Sequence, residues 1–244
     1  MEFLQRERIK SVAIPPLGCG NGGLNWNDVR PLIVDALATI PSIAVHLYEP
    51  QITPAVDEMP VATKTPKLTS NGAALLGVLM DYGIPGYRLT RLEIQKLAYF
   101  LQAAGQPSKL EFVKEQYGPY AEALNHFLQR MEGHFIRGYG DRSGEASVRV
   151  LDEGVTAANA IMAEEDHLAG RVQHVAELIE GFETPHGMEL LASVHWITQE
   201  NADAKTNWEA SFKLLQNWNE RKRRIFPIPH VQAAFSQLKS HNWI

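Results

Sequence analysis

A glycine-rich loop near the amino terminus is the segment whose residue types are best suited to bind an anion. The apolar run Val12–Ile14 before it is typical of a buried parallel strand, and Asn25 and Asp28 after it offer N-caps to the amphipathic run Val29–Leu37. Glycines let backbone N–H groups turn towards a phosphate, and the N-terminus of the following helix adds favourable potential. This order of elements predicts a phosphate-binding turn, and a glycine-rich turn that binds nothing is the alternative.

The spacing within the loop differs from two common nucleotide-binding motifs. No Lys-Ser/Thr pair closes it, as in a Walker loop, and no acidic residue follows at the distance of a dinucleotide fingerprint. Cys19, the single cysteine of the chain, has no histidine near it in sequence, so we expect a small buried side chain rather than a nucleophile. The loop therefore indicates ligand binding through its backbone.

The segment IPPLGCGNGGLNW resembles the second phosphate-binding loop of a macro domain, the α/β fold that binds ADP-ribose. Together with the helix and the strand Ile43–Tyr48 that follow, its form is close to that of the DarG antitoxins, which reverse DNA ADP-ribosylation. The resemblance implies that ADP-ribose is bound by Gly18, Cys19, Gly20, Asn21, Gly22, Gly23 and Leu24. It covers only the last part of a macro domain.

No position of this sequence corresponds to the adenine-contacting acid, the first loop or the catalytic lysine of that family, so we assign no catalytic residue. Two strands and one helix cannot complete a parallel sheet. We expect residues 1–50 to be a remnant, a product of truncation, or a half that needs a partner fragment. Whether this chain acts as an enzyme on its own stays open.

Composition and charge limit the class of protein. The chain has 244 residues, of which 45% are hydrophobic and 21% charged, which is ordinary for a globular protein of one large or two modest domains. A net charge of −5 argues against wholesale nucleic-acid binding. One cysteine excludes an internal disulfide, and there is no signal-peptide pattern or apolar run of about 18 residues. We expect a cytoplasmic protein without membrane contact.

Proline and apolar patterns divide the chain into three parts. Residues 51–68 are rich in proline and are interpreted as a linker between the macro-like piece 1–50 and a helical domain 69–244. The whole is predicted to be α+β and mostly helical, because one strand–helix–strand piece precedes a long run of helical periodicity.

Within the helical domain, Thr90 and Glu93 form a capping box for the helix Arg91–Ala104. Strands at Phe135–Tyr139 and Val148–Leu151 follow two helices, and this order suggests a winged helix. The other predicted helices are 71–82, 120–131, 156–165, 168–180, 187–199, 208–223 and 230–241, with a short strand at 110–113.

Three separated segments of this domain resemble the carboxy-terminal domain of the DarG antitoxins, which is related to the Panacea antitoxin domains. They are a helix with Gln95, Lys96, Leu97, Tyr99 and Phe100, the turn Tyr117–Pro119, and the segment Phe182–Ile197. The resemblance implies that the domain binds and neutralises a DarT-like DNA ADP-ribosyltransferase toxin at its DNA site. ADP-ribose or ADP-ribosylated DNA are the further ligands that it implies.

Two groups of side chains are candidates for toxin contact. Tyr117 and Tyr120 flank a rigid Gly-Pro turn, and packing in the core between two helices is the alternative for each. From Asp141 to Glu209 there are fourteen acids and four bases, an excess that suits mimicry of DNA phosphates or is simply a solvated face. The acidic candidates within it are Glu164, Glu165 and Asp166, adjacent residues that would point in different directions around one helix.

No metal site and no cofactor are predicted. His167 and His174 would lie about 10.5 Å apart on one helix, too far for one metal. The basic run Arg221–Arg224 is interpreted as a helix end that favours the helix dipole. Three functions stay open: an antitoxin, a glycohydrolase seen as a truncated chain, and a winged-helix DNA-binding regulator.

Overall fold

The chain divides into two compact units, Met1–Ala55 and Val56–Ile244. Their architecture is given by a computed structural model that describes residues 6, 9–19, 24–38, 43–50, 61–83, 86–140 and 146–244. Positions 51–60 of the predicted linker 51–68 lie outside the described residues, so the extent of the linker stays a prediction.

The first unit contains a parallel pair of strands joined through a helix. Strand β1 (Ser11–Ile14) pairs with β2 (Ala44–Leu47), and helix α1 (Trp26–Leu37) lies between them in sequence. Asn25 is the N-cap, since its side chain accepts a hydrogen bond from the backbone N–H of Asn27 at 2.9 Å. The expectation of a buried strand is wrong, because exposed and half-buried residues alternate along β1, and α1 has no buried residue.

The second unit is mostly helical, as predicted. Its helices are α2 (Ser70–Tyr82), α3 (Arg91–Ala103), α4 (Glu122–Met131), α5 (Asp152–Glu164), α6 (Asp166–Ile179), α7 (Pro185–Glu200), α8 (Ala202–Thr206), α9 (Trp208–Gln216), α10 (Glu220–Ile225) and α11 (Ile228–Ser240). The single helix predicted at 208–223 is wrong. The chain breaks after α9, and the Asn219 side chain starts a new helix by accepting from the N–H of Lys222 at 2.8 Å.

Two short antiparallel hairpins accompany these helices. Strand β3 (Val113–Glu115) pairs with β4 (Gly118–Tyr120), and β5 (Ile136–Arg137) pairs with β6 (Arg149–Val150). The second hairpin lies where two strands were predicted. The first corrects two predictions, because the strand begins at Val113 rather than at position 110, and Gly118–Tyr120 is a strand rather than a turn. The turn itself is formed by Gln116 and Tyr117.

The capping box of α3 is confirmed and does more than cap. Thr90 Oγ1 accepts from the N–H of Glu93, and Glu93 Oε2 accepts from the N–H of Thr90 at 2.7 Å. The other oxygen of the fully buried Glu93 accepts from the hydroxyls of Tyr82 at 2.7 Å and Tyr87 at 2.6 Å. Burial and this carboxylate raise the pKa of Tyr87 to about 12. One acid thus fixes the start of α3 and holds it against α2.

Helix α7 is the centre of the second unit and packs against α3, α9 and α11. Eleven of its sixteen residues are buried, so its sequence shows little polar face. The core around it is formed by apolar side chains from α2, α3, α6 and α11, among them Leu76, Phe100, Val175 and Leu238. Among the helices that the structure describes, none is long and apolar enough to cross a bilayer.

Candidate functional site

The hairpin β3–β4 is fastened to helix α3 by two side chains of the first helical motif. Gln95 Nε2 donates to the carbonyl oxygen of Ala121 at 3.0 Å, and the N–H of Ala121 donates back to Gln95 Oε1 at 2.9 Å. Lys96 Nζ donates to the carbonyl oxygen of Pro119 at 2.6 Å. Because Gln95 and Lys96 are almost fully buried, these bonds replace hydration of both groups. The helix motif and the Tyr-Gly-Pro motif therefore form one interface.

The third motif segment joins the same place through a buried ion pair. Glu189 on α7 accepts from Lys222 Nζ at 2.8 Å and from Arg221 at 2.5 Å. Lys222 Nζ also donates to Ser193 Oγ at 2.9 Å. Gly118, whose φ is +99°, lies so close to Ser193 that a Cβ at this glycine would be 2.9 Å from Ser193 Oγ. The three segments named from the sequence thus meet around two buried lysines.

Burial changes the charge state of these lysines. Desolvation and the nearby charge of Lys222 lower the pKa of Lys96 to about 7, although Glu189 acts in the opposite direction. Desolvation also lowers the pKa of Lys222, which Glu189 partly restores. Near neutral pH the Lys96 amine is therefore partly uncharged, and Glu189 is the buried carboxylate that compensates Lys222.

A surface cleft of about 490 Å³ opens between α3 and the hairpin. Arg91, Gln95, Lys96, Tyr117 and Tyr120 contribute to its walls. Tyr117 is 45% exposed, and the Arg221 guanidinium lies 4.7 Å from the centre of its ring. Core packing, the alternative considered for this tyrosine, is therefore wrong.

Tyr120 is half-buried at the other side of the same cleft. Its hydroxyl donates to Glu122 Oε2 at 2.6 Å and accepts from Asn125 Nδ2 at 2.5 Å. The ring is held by these bonds at the start of α4. The structure thus brings the two tyrosine candidates to one cleft.

The three acidic candidates lie elsewhere, at a helix junction. Glu164 ends α5, Asp166 begins α6, and Glu165 lies between them, so the three do not share one helix as expected. Glu165 accepts from Ser70 Oγ at 2.7 Å and lies 3.5 Å from the imidazole of His167. Glu164 and Asp166 are exposed. The junction is not part of the cleft lining.

In the glycine loop, the structure describes Gly18, Cys19 and Leu24, whereas Gly20, Asn21, Gly22 and Gly23 are outside the described residues. Gly18 has φ +73°, and a Cβ there would lie 2.6 Å from Leu24 Cδ1. The N–H of Leu24 donates to the Gly18 carbonyl at 3.0 Å and closes the loop. Cys19 is half-exposed, with its thiol 3.4 Å from the Leu17 carbonyl, so the buried position expected for it is wrong.

Sequence analysis missed Glu189, Ser193 and Lys222. Lys222 was placed in a basic helix end, whereas its side chain has no exposed surface. The signal in the sequence that could have indicated this ion pair was Glu189, a lone acid within the apolar stretch of α7. A buried acid of this kind needs a cationic partner. In the part of the chain that the structure describes, no group of three or more His, Cys, Asp or Glu side chains is placed to hold a metal.

No family model matches this sequence. A DNA ADP-ribosyl glycohydrolase of Thermus aquaticus is 44% identical over 236 residues, which are 96% of this chain and 64% of that protein. A protein of the same name from Mycobacterium tuberculosis is 33% identical over 255 residues, covering 98% of this chain and 71% of the relative. A DNA ADP-ribosyl transferase–DNA ADP-ribosyl glycohydrolase fusion protein of Thermosipho africanus is 46% identical over 50 residues, 20% of this chain and 13% of the fusion.

The chain therefore spans about two thirds of the length of these glycohydrolase relatives, 64% in the Thermus protein and 71% in the mycobacterial one. Similarity of this extent over nearly the whole chain goes well beyond one shared motif. The cleft and the loop described above lie on a chain that belongs to the DNA ADP-ribosyl glycohydrolase family.

Proposed function

We propose that this protein is an antitoxin whose second unit binds and neutralises a DNA ADP-ribosyltransferase. The observation that carries the proposal is that the three antitoxin-like segments meet at the buried Lys96 and Lys222, and that two of them line one surface cleft with the exposed Tyr117. The fusion relative supports it, because its name joins a transferase and a glycohydrolase in one chain. Residues 1–50 are proposed to be the carboxy-terminal part of a macro domain.

The cleft has the properties of a preorganised contact. The hydrogen bonds of Gln95 and Lys96 hold the hairpin against α3, so the position of Tyr117 is fixed before a partner binds. Tyrosine and arginine are enriched among residues that dominate binding energy, and Arg221 lies against the Tyr117 ring. A rigid aromatic–guanidinium pair can be buried by a partner at small cost in conformational entropy.

Acidic residues would provide the long-range electrostatic attraction between the two proteins. A transferase that modifies DNA needs a basic groove, and the excess of acids from Asp141 to Glu209 would attract it. Glu164 and Asp166 are exposed at the junction of α5 and α6 and are available for such attraction. Glu165 is less so, since it accepts a hydrogen bond from Ser70.

The test is co-expression of the full chain with a transferase encoded beside it. We expect cells to survive and the two proteins to co-elute. Tyr117→Ala should weaken binding about tenfold, the loss typical of an interface hot spot. Tyr48→Ala removes another exposed tyrosine, in the first unit, and should leave binding unchanged. Undiminished toxicity in the presence of abundant, folded antitoxin would contradict the proposal.

Release of ADP-ribose from modified DNA is the second candidate function. The observation that favours it is the left-handed Gly18 in a loop closed by the Leu24 N–H. Gly18→Val would introduce a clash with Leu24 and distort that loop, while the sequence of the second unit stays unchanged. ADP-ribose release by the purified chain that is lost in Gly18→Val would assign the activity to the first unit. Neutralisation retained by the same variant would assign the antitoxin function to the second unit.

A further inference from the structure

A second cavity of the Val56–Ile244 unit, about 690 Å³ in volume, is separate from the cleft described above. Its walls come from α3, α6, α7, the segment before β3 and the residues after α11. The volume lies within the range of sites that hold small molecules. None of the sequence motifs was assigned to it as a binding site.

The walls of this aromatic cavity are unusually rich in rings. Tyr99 is surrounded by Phe112, His195 and Trp196, with ring centres 5.3, 5.4 and 6.0 Å away. His174 stacks on Trp243 at 4.7 Å with an interplanar angle of 12°, and the Trp243 ring centre also lies 5.7 Å from that of His195. Tyr99, His195 and Trp243 are buried, whereas Phe112, His174 and Trp196 are half-buried and keep exposed ring surface. The half-buried rings therefore leave part of their surface open to the cavity, beside polar atoms of its lining.

The cavity carries little positive charge. Among the described residues, its lining contains no lysine or arginine. Burial lowers the pKa of His195 to about 4, so this imidazole is neutral near pH 7. Its Nδ1 lies 2.8 Å from the Tyr99 hydroxyl and forms a hydrogen bond with it, as acceptor or donor according to the tautomer. Glu111 at the rim is exposed to solvent. A phosphate group would find no cationic partner in this lining.

Two side-chain amides at the rim of the cavity are available to form hydrogen bonds with a ligand. The side chains of Gln199 and Asn242 are exposed and make no hydrogen bond among the described residues. A side-chain amide has a donor and an acceptor side by side, the pattern that pairs with N6 and N7 of adenine. Aromatic walls with amides at the edge are a combination that suits a stacked nucleobase.

We propose that the aromatic cavity binds a nucleobase, adenine in the first place, against its half-buried rings, with Gln199 and Asn242 reading the edge of the base. A cationic side chain fits less well, although it too favours aromatic faces. Within the described part of the chain, the indole N–H groups of Trp196 and Trp243 are buried without an acceptor, and a cation brings no acceptor for them. The base belongs either to a free nucleoside or to a single-stranded nucleic acid.

The test is a titration of the full chain with adenosine, followed by tryptophan fluorescence and by calorimetry. Trp196 and Trp243 are two of the five tryptophans, so stacking should give a saturable partial quench. Trp196→Ala should weaken binding about tenfold, the effect expected on losing one stacking platform. Trp208→Phe changes a tryptophan outside the lining and should leave the affinity unchanged.

A second variant keeps the test valid if Trp196→Ala fails to fold. Asn242 has φ +60°, a conformation that glycine adopts without strain, so Asn242→Gly removes the amide and leaves the backbone unchanged. It should weaken adenosine binding about fivefold, and Gln199→Ala should have a similar effect. If both variants bind adenosine as tightly as the unsubstituted chain, the proposed reading of the ring edge is overturned.

The two sources of the base are separated with oligo-dA and by changing the salt concentration. Because adenosine carries no charge near neutral pH, it should bind equally at low and high salt. An oligonucleotide that binds more tightly through the same Trp196-dependent site assigns the base to single-stranded DNA, and equal affinity per site assigns it to a free nucleoside. No saturable binding of adenosine or oligo-dA, or binding of arginine methyl ester alone, would overturn the proposal.

Discussion

Lys96 Nζ donates to the carbonyl oxygen of Pro119 across 2.6 Å, joining two motifs that are 23 positions apart in sequence. Both groups are buried, and the same hairpin carries Tyr117 on its exposed turn. The bond therefore links a buried titratable amine in the core to the position of a candidate contact residue. Changes at Lys96 should be felt in stability and at the cleft together.

Stability should depend on pH through Lys96. Its pKa falls from the ordinary 10.5 to about 7 in the folded chain. Between these values the unfolded chain keeps a proton that the folded chain has lost, so stability rises with pH through this window. Urea unfolding from about pH 7 to 9.5, below the titration of ordinary tyrosines, measures the slope. Lys96→Met should reduce the slope and leave the part that Lys222 contributes, whose pKa is also lowered by burial. An unchanged slope in this variant would contradict the lowered pKa of Lys96.

Neutralising Glu189 should destabilise the second unit. Glu189→Gln leaves the fully buried Lys222 without a compensating charge, and loss of one partner of a buried ion pair costs about 3 kcal/mol. The matched control is Glu209→Gln, an exposed acid whose loss should change stability by less than about 0.5 kcal/mol. Denaturant unfolding of both variants gives the comparison. Equal effects would show that the charge of Glu189 is unimportant for Lys222.

Gly118→Ala should destabilise the protein more than Gly181→Ala, a substitution at a glycine with the same kind of backbone conformation. Gly118 and Gly181 both have positive φ, so alanine adds about 1 kcal/mol of backbone strain at either position. At Gly118 the new Cβ would also lie 2.9 Å from Ser193 Oγ, whereas at Gly181 none of the described residues comes within 4 Å of it. We expect Gly118→Ala to lower the free energy of unfolding by at least about 1 kcal/mol more than Gly181→Ala. The two melting curves decide this.

Residues 69–244 should fold without the first unit. The core of α2, α3, α6, α7 and α11 lies entirely within that range. Residues before it still contribute, since the Thr63 and Thr65 hydroxyls lie 2.9 and 3.3 Å from the His134 ring nitrogens. A chain of residues 61–244 should therefore melt at a higher temperature than one of residues 69–244. Absence of a cooperative melt in both, when the full chain has one, would refute the independent domain.

Local sequence determined those parts of the structure that depend on neighbouring residues. The capping box of Thr90 and Glu93 was predictable because both partners lie within one turn of helix. The strand–helix–strand order of the first unit and most helices of the second also followed from apolar periodicity. The phosphate-binding role of Gly18–Leu24 remains a prediction, as does the boundary of the domains.

Only the tertiary structure decided which buried charges pair and which tyrosine is exposed. Glu189 and Lys222 are 33 positions apart, and no local pattern indicates that a lysine in a basic run turns inward to an acid on another helix. Glu93 likewise serves a second helix through Tyr82. The exposure of Tyr117 follows from the hairpin that Lys96 anchors. Such pairings depend on the packing of elements distant in sequence, because burial makes an unpaired charge costly wherever its partner lies in the chain.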